Sequence, residues 1–129
     1  MKKELLLKLE PEELDEYAKT LGIDAAKAKG AKAKVELIER RRERVAEISA
    51  LGITVTVPVR RMHDKRITDR LNGRRLSDSQ LEKLMRDLLG DEQMDAVIEH
   101  VTEEDGTVDV DALGLIIAKI VRSDDLKNF

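Results

Sequence analysis

The sequence predicts an all-α fold: a small helix pair, a short extended segment, then a small helical bundle. Three observations carry this. Apolar residues recur at i, i+3, i+4 and i+7 over most of the chain. Aromatic residues are 2% of 129, so the core is built from Leu, Ile, Val, Ala and Met, which suits helices better than a β-sandwich. Helix start and stop signals punctuate the apolar runs. The expected organisation is a helix-loop-helix module over residues 1–50, an extended linker or arm over 51–59, and a bundle with a frayed tail over 60–129.

Pro11 occupies a first helical position, followed by Glu12 and Glu13, and both features favour a helix start. Leu14, Tyr17, Ala18 and Leu21 then form one apolar face. Gly22 suits a left-handed C-terminal cap, and Ile23 beyond it can fold back on the helix. Residues 24–31 are a lysine-rich connection carrying Lys27 and Lys29. A second helix is expected from about Ala33 to Ala50, with Leu37, the Arg41 stem, Val45 and Ile48 on one face and Ile38 beside it.

Ile53, Val55, Val57 and Val59 alternate with Thr54, Thr56 and Pro58, a period of two. Pro58 confines such a segment to an edge strand or an arm. No partner strand is legible elsewhere, so this is either a connector packed on helices or a self-association arm. Met62, Ile67 and Leu71 mark a short basic helix closed by Asn72 and Gly73. Ser77 and Gln80 match a capping box before Leu81, Leu84, Met85, Leu88 and Leu89. Gly90 ends that helix, and Asp91 can cap the next, which carries Met94, Val97, Ile98 and Val101. Asp109 can cap a last helix with Leu113, Ile116, Ile117, Ile120 and Val121 on one face. Leu84, Leu88, Ile116 and Ile120 are the candidate groove for a helical client.

Several chemistries are excluded by residue type. With no cysteine, disulfides, thiol catalysis and Cys-type zinc sites are absent. No apolar run approaches the roughly 20 residues of a membrane span. The run "EHVTEEDGTVDVDALGLI" looks like a calcium loop, with Gly106 sixth, but its first and twelfth positions are Val101 and Ala112, which offer no side-chain oxygen. His63 and His100 have no second ligand at helical spacing. The serines lie in no nucleophile elbow, and no phosphate-loop motif exists. The expectation is a protein without catalytic, cofactor or metal site.

Charge is segregated. Residues 27–44 hold eight basic and three acidic side chains, and residues 76–129 hold five basic and fourteen acidic. Lys29, Lys32, Lys34 and Arg41 are candidate contacts to nucleic acid or an acidic partner. Glu36, Glu39 and Glu43 lie three and four residues from the arginines, the spacing of ordinary helix ion pairs, so nucleic acid is the lesser alternative.

Leu14, Tyr17, Ala18, Leu21, Gly22 and Ile23, followed by "KAKVELIERR", resemble the SAP / HeH / LEM class of helix-extended-loop-helix modules. SAP members bind DNA through the loop and second-helix start, and this resemblance implicates Lys29, Lys32 and Lys34. HeH and LEM relatives often bind proteins. Residues 53–129 are similar to tail assembly chaperones of long-tailed bacteriophages in "ITVTVPV", "RRMHDKRITDRL", "LLGDEQMDAVIEHV" and the final Ile-rich helix. That resemblance implies a non-enzymatic factor in the host bacterial cytoplasm. It would bind the tape measure protein, help recruit tail tube subunits, self-associate, and be absent from the mature virion. A DNA-binding accessory protein and a virion structural or connector protein are the alternatives.

Overall fold

In the computed structural model the chain forms two compact units, Met1–Arg44 with the last residues of the tail, and Val45–Lys127. The structure describes residues 1–25, 28–73 and 75–128; Lys27 and the rest lie outside the described residues. The protein is mostly helical, with one two-stranded antiparallel sheet. The all-α expectation is therefore only roughly right.

The first unit holds α1 (Lys3–Leu6), α2 (Pro11–Thr20) and α3 (Ala31–Arg42). Its core is Leu6, Leu14, Ala18, Leu21, Ala25, Val35 and Ile38, with Leu9, Tyr17 and Ile23 packed against it. The end of α2 forms as its residues predict. Gly22 has φ +76. Its N–H donates to the Lys19 carbonyl and that of Ile23 to the Ala18 carbonyl, at 3.0 and 2.9 Å. This is the paired bonding of a glycine cap, and it returns Ile23 to the core. Val35 and Ile38 form the buried face of α3.

The second helix stops at Arg42 rather than Ala50. Val45–Ala50 is a strand, β1, paired antiparallel with β2 (Ile53–Pro58). The segment 51–59, expected as a linker or arm, is thus the turn and second strand of a hairpin. Ala46, Ile48 and Ala50 point inward beside Val55 and Val57, while Val45, Glu47, Ser49, Thr54 and Thr56 point out. Ser49 and Thr54 share a hydroxyl hydrogen bond of 2.7 Å across the outer face.

Leu51 and Gly52 make the turn, with φ +48 and +87. Two-residue hairpin turns of this hand need positive φ at both positions, and Asn-Gly is their preferred pair. Leucine pays for that conformation. His100 supports it by donating from Nε2 to the Leu51 carbonyl, 2.7 Å away; a carbonyl only accepts, so the proton is on Nε2. Leu51→Asn is expected to stabilise the protein by about 0.5–1 kcal/mol. Thermal melts should show a rise of a few degrees, and Leu51→Val a fall.

The second unit continues with α4 (Val59–Met62), α5 (Lys65–Asn72), α6 (Asp78–Leu89), α7 (Asp91–His100), α8 (Val110–Val121) and α9 (Asp124–Lys127). The basic stretch is two helices, because Asp64 caps α5 by accepting from the Arg66 N–H at 2.9 Å. The capping box on α6 is complete: Gln80 accepts from the Ser77 N–H at 2.9 Å and donates its own N–H to Ser77 Oγ at 3.3 Å. Gly90, φ +85, both ends α6 and caps α7. Asp91, expected as that cap, is the first residue of α7 and pairs with Arg86 instead.

The tail is not frayed throughout. Ser123 accepts from the Leu126 and Lys127 N–H groups, and Leu126 is fully buried. An apolar side chain with a core to enter orders the last turn. The core of this unit gathers Val55, Val57, Val59, Met62, Ile67, Leu84, Met85, Leu88, Met94, Val97, Ile116 and Ile120. Among the described residues no polar or charged residue is buried, and no helix is long and apolar enough to cross a membrane.

Candidate protein-docking surface

The four residues expected to form a client groove do not form one. Leu84 and Leu88 are fully buried, and Ile116 and Ile120 are 1% exposed. They are the core that holds α6 and α8 in place. The expected self-association arm meets the same correction: Val55, Val57 and Val59 are buried and Ile53 is half-buried.

Large apolar side chains face solvent at Leu5 and Leu7 in and just after α1, at Val45 and Leu51 in the hairpin, at Leu71, and at the start and middle of α8. Val110 is 71% exposed and Leu115 46%, and Val108 stands out just before the helix. Ile116, Ile117 and Ile120 are buried; Leu115 lies off their face, whereas Val110, seven residues before Ile117, lies on it and is exposed at the helix start. Gly114 is exposed one turn after Val110 and next to Leu115. A Cβ built there meets nothing within 4 Å, and its φ is not left-handed. Glycine inside a helix costs about 1 kcal/mol relative to alanine. Neither backbone conformation nor internal packing asks for a glycine at this point.

The start of α8 is held firmly. Asp109 Oδ1 accepts from the N–H groups of Asp111 and Ala112 at 3.1 and 3.0 Å. The Asp109 N–H donates to the Val101 carbonyl at 2.9 Å, and Thr102 bridges to Val108 as a single β-pair. Within the turn, Thr107 donates its N–H to Asp105 Oδ1 at 2.9 Å. The Thr107 hydroxyl, and after it this N–H, hold the Asp105 carboxyl pKa below its ordinary value. The loop that looks like a calcium site in sequence is closed by its own hydrogen bonds. A depression of about 260 Å³ lies beside it, lined by Leu51, His100, Val101, Thr102, Glu103, Asp109 and Ala112.

Other charges in the second unit work internally. Arg86 meets Asp95, Glu82 and Asp91 at 2.8, 3.2 and 3.3 Å, which raises its pKa and ties α6 to α7. Arg66 pairs with Asp64 at 3.0 Å, lowering the Asp64 pKa and raising its own. Arg70 pairs with Asp87 at 2.6 Å.

In the first unit the four candidate basic contacts divide. Lys34 pairs with Asp15 at 2.7 Å, and Arg41 donates to the Gly22 carbonyl at 3.2 Å. Both are half-buried and join α2 to α3. Lys29 and Lys32 are exposed at the start of α3. That start has no side-chain cap and no acidic residue in its first turn.

The chain matches no family model, no curated protein and no solved structure.

Proposed function

We propose that this is a non-enzymatic binding protein whose α8 outer face receives an amphipathic helix of a client. The carrying observation is Gly114, an energetically costly glycine in open space between two exposed apolar side chains. A missing Cβ lets another backbone come close, and Val110 and Leu115 supply apolar anchors on either side. The particular role we propose is that of a phage tail assembly chaperone. Its clients would be the tape measure protein and, through it, tail tube subunits, met in the host cytoplasm. The resemblance of residues 53–129 to that group supports this role.

A DNA-binding accessory role is the second reading. It is favoured by the uncapped start of α3, where unpaired backbone N–H groups and the exposed Lys29 and Lys32 suit phosphate.

One comparison separates the two. Gly114→Ala is expected to raise stability by about 0.5–1 kcal/mol while weakening capture of a tape measure protein supplied as the client. Lys29→Glu with Lys32→Glu should leave that capture unchanged. Size-exclusion with light scattering, with and without duplex DNA at low and moderate salt, reads both. Capture that survives Gly114→Ala and Leu115→Glu would sink the α8 reading. A DNA complex lost on the lysine changes and on raising salt would establish the second.

A further inference from the structure

The hairpin has two edges, and they are treated differently. The turn lies between Ala50 and Ile53, so these two residues form the first hydrogen-bonded pair. In an antiparallel ladder such pairs alternate. Ile48 with Val55 and Ala46 with Val57 are therefore the other bonded pairs. The residues between them turn their N–H and C=O groups away from the partner strand. On β2 these are Thr54, Thr56 and Pro58; on β1 they are Val45, Glu47 and Ser49.

The outer edge of β2 is blocked at its centre, Thr56, and at its end, Pro58. Gln93 accepts from the Thr56 N–H through Oε1 and donates to the Thr56 carbonyl through Nε2, both at 2.8 Å. This also confirms the alternation, since both Thr56 groups point outward. Pro58 has no N–H to offer. The outer edge of β1 has no such closure: among the described residues no hydrogen bond reaches the outward groups of Val45, Glu47 and Ser49. Their side chains are exposed too, Val45 by 55%. An unpaired edge of this kind is a template for another strand.

We infer that the β1 edge accepts an extended segment of another protein, antiparallel or parallel, carrying a basic residue opposite Glu47. The charge at the middle of the edge selects this occupant. A second copy of the chain, paired antiparallel to use all three outward positions, would set Glu47 against its own counterpart. Like charges directly opposite destabilise a strand pair, whereas opposite charges support it. Val45 and Ser49 on either side accept β-branched or small side chains on the same face. The inference does not depend on the α8 face, which would take a helix.

The test uses the full chain and a fluorescein-labelled peptide, Thr-Val-Thr-Lys-Thr-Val-Thr, beside its counterpart with Glu for Lys. Saturable binding of the lysine peptide is expected, about fivefold tighter than that of the glutamate peptide. Glu47→Lys should reverse the preference. Ser49→Pro removes an outward N–H without touching the bonded pairs and should weaken binding about tenfold, while Ser49→Ala should change it less than about twofold. If Ser49→Pro does not fold, the Glu47→Lys reversal still decides. Amide exchange gives a second readout: Val45, Glu47 and Ser49 should exchange fast in the free protein and slow with peptide, whereas Thr56 is protected in both. No saturation up to about 1 mM, or binding indifferent to both charge and proline, overturns the inference. Protection of those three amides that grows with protein concentration alone would also overturn it, assigning the edge to a second copy.

Discussion

Leu88→Ala is expected to cost about 3 kcal/mol of stability, within the usual range for a buried leucine replaced by alanine. Leu88 is fully buried in α6 among Leu84, Met85 and Leu89, and nothing polar is buried nearby to let water fill the space. An apolar void left there stays dry, so the surrounding side chains lose contacts without replacement. A domain of this size should melt roughly 12 °C lower or more. Leu88→Met keeps the volume and should cost less than about 1.5 kcal/mol. The pair of variants separates a core position from a client groove. If Leu88→Ala left the melt unchanged and removed only partner capture, the residue would be on a binding surface and its burial here would be wrong.

How much of this was legible in the residues depends on which signals are local. The end of α2 was legible because Gly22 and Ile23 act within one turn, and the complete capping box at Ser77 and Gln80 for the same reason. The strand β1 was not. "VAEISA" follows a helix with no glycine or proline between, and alanine and glutamate favour helices over strands. Its period of two is there in the residues, with Ala46, Ile48 and Ala50 inside. That alternation is short enough to be absorbed into a helical face, as Val45 and Ile48 were. The turn also hid itself, since Leu51-Gly52 is not one of the preferred pairs.

Legibility of the site failed for a different reason. An apolar stripe reports that a helix face is covered, not by what, so Leu84, Leu88, Ile116 and Ile120 pointed equally to a core and to a groove. Lys34 and Arg41 looked like free charge because their partners, Asp15 and the Gly22 carbonyl, are nineteen residues away. The signals that did bear on a surface were the ones that broke the pattern. Gly114 interrupts a helix interior, Leu115 lies off its apolar face, and Val110 is exposed at the helix start.

Gln93→Ala is expected to destabilise the second unit by about 1–2 kcal/mol and to make the protein associate. The Gln93 amide makes four hydrogen bonds: one accepted from the Thr56 N–H and one donated to each of the Thr56 and Leu89 carbonyls, all at 2.8 Å, and a longer one accepted from the Thr56 hydroxyl at 3.4 Å. Each is worth about 0.5–1.5 kcal/mol net, and water can replace part of the loss at the exposed Thr56. The second effect does not depend on that balance. Alanine leaves the outward N–H and C=O of Thr56 unpaired, so the hairpin then presents two open edges instead of one. The β1 edge of one copy can then pair with the β2 edge of the next, with no second Glu47 opposite the first, and form open chains. Gln93→Glu keeps the acceptor for the Thr56 N–H but loses both donors, and places a charge against two carbonyls. It should lie below alanine in stability yet associate less, because the edge stays covered and charged. Amide exchange at Thr56, thermal melts and light scattering together check this. Unchanged Thr56 protection in Gln93→Ala would mean that the side chain does not close the edge.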